Sequence, residues 1–258
     1  MLGAIAGDII GSVHEHIETK TTEFDLFVPA SSFTDDTVLA VAVADCLLNG
    51  KPYVDTFHEY FLAYPNGGYG LRFFHWASRG DRRPYNSYGN GSAMRVPAVA
   101  YAFESLDDVL AEAARSAEVT HNHPEGIKGA QATAAAIFKA RRGETKRQIK
   151  ESIEQMFGYN LSDSIDRIRP EYEFDETCQG SVPPALIAFL ESSDYEDAIR
   201  LAISLGGDAD TLACIAGGVA EAHYGGVPPH IAKPALAALD DRLRGVLVQF
   251  AERYNIQL

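Results

Sequence analysis

The chain has 258 residues with 22 Lys+Arg against 36 Asp+Glu, a formal net charge of −14. Hydrophobic residues make up 46%, which is enough to fill a large globular core and excludes a disordered or fibrous chain. The acid excess excludes a duplex-binding basic stripe and electrostatic docking on an anionic membrane. Local backbone donors or a bound cation still permit an anionic small ligand.

The chain opens on MLGAIAGDIIGSVHE, which is apolar but has no basic flank and is interrupted by Asp8. It does not read as a secretion signal. Gly3, Gly7 and Gly11 give this stretch the small residues of a closely packed helix. Nowhere does an uninterrupted apolar run reach the ~18 residues of a membrane span. The three cysteines, Cys46, Cys178 and Cys214, are odd in number and widely spaced. They form neither a disulfide framework nor a zinc pattern, so a reducing cytoplasm is the expected compartment.

Helical periodicity dominates the rest. Leu39, Ala42, Val43, Cys46 and Leu47 form one stripe, in a helix expected to begin near Val38. Phe73, Phe74 and Trp76 are expected in the core. Ile127, Ala130, Ala134, Ile137 and Phe138 form a second stripe, and Ile149, Ile153, Met156 and Phe157 a third. Val182, Leu186, Phe189 and Leu190 follow, with Pro183 and Pro184 assigned to a first turn. Ala198, Leu201, Ala202 and Leu205 come next, and Leu239, Leu243, Val246, Leu247 and Phe250 close the pattern. Gly/Pro/Asn clusters at 65–68, 88–91 and 224–229 punctuate these runs. No segment combines alternation with β-branched enrichment. The expected architecture is one all-α domain over 1–258, with roughly a dozen helices.

Two constellations carry chemistry. The first is Phe33-Thr34-Asp35-Asp36-Thr37, at a helix start. Capping and the helix dipole account for one acid there, not two with flanking hydroxyls. Such an oxygen cluster repels itself unless a cation or a proton intervenes. The second, Gly206-Gly207-Asp208-Ala209-Asp210-Thr211, repeats the layout before another helix. If the two meet, oxygen-only ligands favour a pair of Mg²⁺ or Mn²⁺ ions over zinc. The loop Asn86-Ser87-Tyr88-Gly89-Asn90-Gly91-Ser92 offers backbone N–H groups to an anion, helped by the helix start that follows. It lacks the Gly-Lys-Ser/Thr of a P-loop. His121 and His123 precede a helix without a third zinc ligand, so ligand contact or capping is the expected use.

Taken in order, Gly3-Ala4-Ile5-Ala6-Gly7-Asp8 with Gly11, Ser12 and Glu15, then Thr34–Thr37, Gly89–Arg95, Thr120-His121, Ser181-Val182-Pro183 and Gly207–Thr211, resemble the ADP-ribosylglycohydrolase family. The resemblance runs from about residue 3 to 224. It implies a compact orthogonal helical bundle and two Mg²⁺ or Mn²⁺ ions held by Thr34, Asp35, Asp36, Asp208, Asp210 and Thr211. It implies Glu15 as a mobile acid, with acid–base chemistry falling to Glu15, Asp35 or Asp36. It places Ser87, Tyr88, Gly89, Asn90 and Gly91 against a diphosphate, and His121 near the phosphates or ribose. The implied reaction cleaves the C1″ bond between ADP-ribose and a protein side chain (arginine or serine) or a small conjugate, through an oxocarbenium-like transition state. The Asn86–Arg95 loop and Glu15 lean toward the O-linked branch. The alternatives are a non-catalytic ADP-ribose binder on the same fold and a metal-dependent nucleotide phosphohydrolase.

Overall fold

A computed structural model describes all residues from Met1 to Leu258. Fifteen helical segments follow one another: α1 (Leu2–Gly11), α2 (Asp35–Asn49), α3 (Tyr53–Ala63), α4 (Leu71–Ser78), α5 (Gly91–Met94), α6 (Val99–Ala102), α7 (Leu106–Glu118) and α8 (Pro124–Arg141) in the first half. Then come α9 (Lys146–Phe157), α10 (Ile165–Ile168), α11 (Cys178–Glu191), α12 (Tyr195–Ile203), α13 (Ala209–Tyr224), α14 (Pro229–Ala238) and α15 (Asp241–Tyr254). Three of these are single turns (α5, α6 and α10), so the all-α expectation holds in kind and in number. The one β-type pairing is an isolated antiparallel bridge between Gly89 and Thr177. No helix is long and apolar enough to cross a membrane.

The core is built around α1. All ten of its residues are buried. It runs antiparallel to α13, because Gly3 faces Gly217, Gly7 faces Ala213 and Gly11 faces Asp210. A Cβ on Gly7 would lie 2.2 Å from the Ala213 carbonyl oxygen. The helices therefore touch backbone to backbone, which only the absence of a side chain allows. Around this pair a single hydrophobic cluster of 72 buried residues draws on most of the other helices. All three cysteines are free and buried within it, and burial pushes the Cys46 and Cys178 thiols up to about 12. They serve as small apolar groups.

Several boundaries differ from the periodicity reading. Helix α2 starts at Asp35 rather than Val38, because Thr34 takes the N-cap and its side chain accepts from the Asp36 N–H at 3.3 Å. Both acids thus lie inside the first turn. Helix α11 starts at Cys178 under a Thr177 cap, which puts Pro183 and Pro184 inside the helix. Pro184 has no N–H for the Gly180 carbonyl, and the Tyr172 hydroxyl donates to that carbonyl instead, at 3.0 Å. Leu205 and Leu239 are buried but stand outside α12 and α15. Met156 and Phe74 are each 40% exposed, against expectation, whereas Phe73 and Trp76 are buried. An amphipathic period assigns a face, but it does not tell the edge of that face from its centre.

Candidate active site

The close approach of α1 and α13 determines where the acids fall. Asp8, the one charged residue of α1, is fully buried. The N–H groups of Thr34 and Thr37 donate to its carboxylate at 3.0 and 3.1 Å, and the Thr34 hydroxyl donates at 2.7 Å. The Thr37 hydroxyl donates as well. Four donors from one turn clamp the start of α2 onto α1. At the other helix, Gly206 and Gly207 both have positive φ (74° and 67°), a left-handed pair that turns the chain into α13.

Asp208 occupies the N-cap of α13 but makes no side-chain cap. Its carboxylate instead accepts from Asn90 Nδ2 at 2.6 Å. Capping therefore does not explain this acid. Asp210 accepts from the Thr211 N–H at 2.9 Å, and the Thr211 hydroxyl reaches Asp36 Oδ1 at 3.4 Å. The two clusters, remote in sequence, meet at this contact. Glu15, on the segment after α1, joins them: single carboxylate oxygens of Glu15, Asp208 and Asp210 lie within 4.8 Å of one another. Asp35 and Asp36 stand outside that trio but line the same cleft, together with Thr34 and Thr211. The cleft encloses about 410 Å³.

The electrostatics are those of a cluster without internal neutralisation. Burial raises the Asp35, Asp36 and Asp210 carboxyls well above their ordinary value, and the neighbouring acids push them further. Burial also raises Asp208, against the pull of its hydrogen-bond donors, and raises Glu15, with Asp208 adding to the effect. Asp36 Oδ2 is buried and has no partner at all. An orphaned buried carboxylate oxygen, in a donor set made only of oxygens, fits a hard divalent cation.

The opposite wall is the Ser87–Gly91 loop. Asn86 adopts a left-handed φ of 54°, and its N–H donates to Asn122 Oδ1 at 2.8 Å. The Asn90 N–H donates to the Glu176 carbonyl and the Cys178 N–H to the Tyr88 carbonyl, at 2.8 and 2.9 Å. Asn90 Nδ2 also donates to Ser181 Oγ, at 2.9 Å. The 175–181 segment thus straps the loop in place. Part of the expected nest of consecutive donors is therefore occupied within the protein. The Ser87, Gly89 and Asn90 N–H groups are spent on Thr120 O, Ser87 Oγ and Glu176 O, and the helix that follows is a single turn. The strap gives the loop rigidity, while the Tyr88, Gly91 and Ser92 N–H groups donate to no other protein group. His121 is buried behind Gly89 and Gly91 and lines the cleft, while His123 caps α8 by accepting from the Glu125 N–H. Tyr88 and Phe174 stand exposed at the rim.

Two important residues were missed in the sequence. Asp8 had a signal, a lone acid in an otherwise apolar helix. Arg95 is fully buried below the cleft and carried no local signal beyond its place in the motif.

The protein is thus all-helical, with a cleft of convergent acids facing a strapped small-residue loop. Comparison with known proteins supplies the family. The family description "ADP-ribosylglycohydrolase" matches residues 1–257. The human protein named ADP-ribosylhydrolase ARH3 is 28% identical, over 87% of this chain and 84% of its own length. The ADP-ribosylarginine hydrolase Tri1 of Pseudomonas putida (strain GB-1) is 26% identical, over 89% of this chain and 71% of its own length. A solved structure described as an ADP-ribosylglycohydrolase-related protein complex superposes with a TM-score of 0.68 at 26% identity, covering 97% of this chain and 96% of that one. The chain belongs to the ADP-ribosylglycohydrolase family, hydrolases of the glycosidic bonds of ADP-ribose.

Proposed function

We propose that this chain is a Mg²⁺- or Mn²⁺-dependent ADP-ribosyl hydrolase that cleaves the C1″ bond of ADP-ribose conjugates, on protein side chains or small acceptors. The observation that supports this most strongly is the convergence of Asp35–Asp36 with Asp208 and Asp210, joined by Glu15, across from the Ser87–Gly91 loop. Thr34, Asp35, Asp36, Asp208, Asp210 and Thr211 would hold two cations. Those cations would supply Lewis acidity toward ribose hydroxyls and bring a water near neutrality in pKa.

The protein's own groups do the rest. Ser87, Tyr88, Gly89, Asn90 and Gly91 receive the diphosphate on a backbone held by the 175–181 strap. Asn90 is tied at its amide to Asp208, so diphosphate placement and acid placement are mechanically linked. His121 lies behind the loop, within reach of a phosphate or ribose oxygen. One carboxyl among Glu15, Asp35 and Asp36 gives a proton to the departing acceptor atom, and a carboxylate takes one from the attacking water. Because the bond cleaved is glycosidic, the product is intact ADP-ribose.

Asp36→Ala and Asp210→Ala should each abolish ADP-ribose release, measured by chromatography on arginine-linked, serine-linked and acetyl-linked substrates. That panel also assigns the linkage. Full activity of metal-stripped protein would overturn the metal requirement. Release of phosphate or AMP would favour a nucleotide phosphohydrolase. Heat on ADP-ribose titration without turnover of any conjugate would favour a binder.

A further inference from the structure

Arg95 is the largest fully buried side chain of the protein, and no carboxylate is hydrogen-bonded to it. Its guanidinium lies over the Phe57 ring at 4.5 Å. Nη2 donates to the Ser116 carbonyl at 2.7 Å and to Thr120 Oγ1 at 2.9 Å, while Nε and Nη1 have no partner. Burying a cation without a counter-ion is costly, so a group placed this way needs a reason beyond packing. The reason lies one bond further on. Thr120 Oγ1 is 2.7 Å from His121 Nδ1. With one lone pair occupied by the arginine N–H, the hydroxyl has its own proton to give. His121 Nε2 faces the substrate loop, at 3.2 Å from where a Cβ on Gly91 would sit and 3.6 Å from one on Gly89.

We infer that Arg95 and Thr120 are positioning residues for His121. The guanidinium donates to the Thr120 hydroxyl, the hydroxyl donates to Nδ1, and the imidazole is thereby held neutral with its proton on Nε2, as a hydrogen-bond donor to an oxygen of the bound ADP-ribose. Which ring nitrogen of a histidine carries the proton is decided by what the other nitrogen bonds to. Here the other nitrogen meets a hydroxyl polarised by a cation. Burial, with Arg95 and Arg72 adding their charge, likewise lowers His121 well below its ordinary pKa. A Thr120 hydroxyl turned toward His121 matters because a diphosphate oxygen can only accept. The opposite tautomer would present a lone pair to that oxygen and repel it. The inference rests on the ADP-ribose reading for the identity of the ligand, but not for the tautomer itself.

The test is long-range ¹H–¹⁵N correlation of the full chain, with the His121 signals assigned through His121→Gln, alongside calorimetry with ADP-ribose in Mg²⁺. The expected result is an Nε2-protonated, Nδ1-bare ring in the natural protein and in Thr120→Ser. In Thr120→Val, which removes the hydroxyl at nearly constant shape, the ring should lose this bias. ADP-ribose affinity should then fall about tenfold, the size of one hydrogen bond near the top of its usual range. An Nδ1-protonated ring in the natural protein overturns the inference even if no variant folds. So does a Thr120→Val ring with an unchanged tautomer, whatever its affinity. Absence of any ADP-ribose binding would sink the functional reading, while the ring nitrogens would still report on the relay.

Discussion

Gly7→Ala tests the backbone contact on which the site is built. The new methyl would lie 2.2 Å from the Ala213 carbonyl oxygen and 2.5 Å from its carbonyl carbon, where ordinary contact begins at 3.4 Å. Neither atom belongs to a flexible side chain. The helices would have to part by roughly 1 Å, in an interior packed as densely as an organic crystal. Overpacking of this kind costs about 1–3 kcal/mol. The upper end applies here, because α1 also carries Asp8, whose four accepted hydrogen bonds hold the start of α2. A loss of about 3 kcal/mol would lower the urea midpoint by about 1 M, taking a slope of about 3 kcal/mol/M. ADP-ribose release should fall with it, because Asp8 and Asp210 move on opposite helices. Gly245→Ala is the matched control: it sits within α15 with nothing within 4 Å of the new methyl, and should gain about 0.5–1 kcal/mol. If Gly7→Ala unfolds at the natural midpoint and keeps its activity, α1 and α13 do not touch as described.

Further outcomes follow from the same geometry. Mg²⁺ or Mn²⁺ at a hundredfold over its Kd should stabilise the protein by about 2.7 kcal/mol, read as a rise in Tm of roughly 5–10 °C. Asp210→Asn should remove most of that rise; an undiminished rise would place the cations elsewhere. A folded His121 held neutral adds stability above the unfolded pKa of about 6.5 that is lost as pH falls below it. Between pH 7.5 and 5.5 the natural protein should therefore lose more stability than His121→Gln, measured by urea unfolding at each pH. Gly206→Ala forces a side chain into a left-handed residue and should cost roughly 1–2 kcal/mol, with kcat lowered because Asp208 is displaced. Tyr172→Phe leaves the Gly180 carbonyl without its donor and should cost about 1 kcal/mol, seen in thermal unfolding.

The legible parts of the chain were those written in local spacing. The stripes at 39–47, 127–138 and 182–190 became α2, α8 and α11, because burial repeats every three to four residues along a helix, although Leu47 and Leu190 are only half-buried. Thr34–Thr37 and Gly206–Thr211 were legible as oxygen clusters, because two acids exceed what a helix start uses. Their meeting was a wager on contacts across more than 170 residues, and no local pattern encodes that distance. Asp8 is instructive: its type was visible, but its function as the clamp on α2 depends on partners 26 and 29 residues away. Arg95 is harder still, since a lone arginine in a motif gives no hint that it lies under a phenylalanine ring with two unpaired nitrogens. In the loop at 87–91, Tyr88 and Asn90 find partners in 175–181, a strap with no periodic signature that local spacing could reveal.

The pairing of α1 with α13 also has a consequence for how the chain matures. On the ribosome, the apolar decapeptide at 2–11 is made some 200 residues before the helix that receives it. Contacts of such long span slow collapse and leave sticky surface uncovered in the interim. Throughout that interval α1 lacks the helix it packs against, and the acids at 8, 35 and 36 cannot be drawn together with 208 and 210 until α13 has been made. A nascent chain stalled before α13 would therefore lack Asp208 and Asp210, leave α1 uncovered, and be inactive and prone to aggregate.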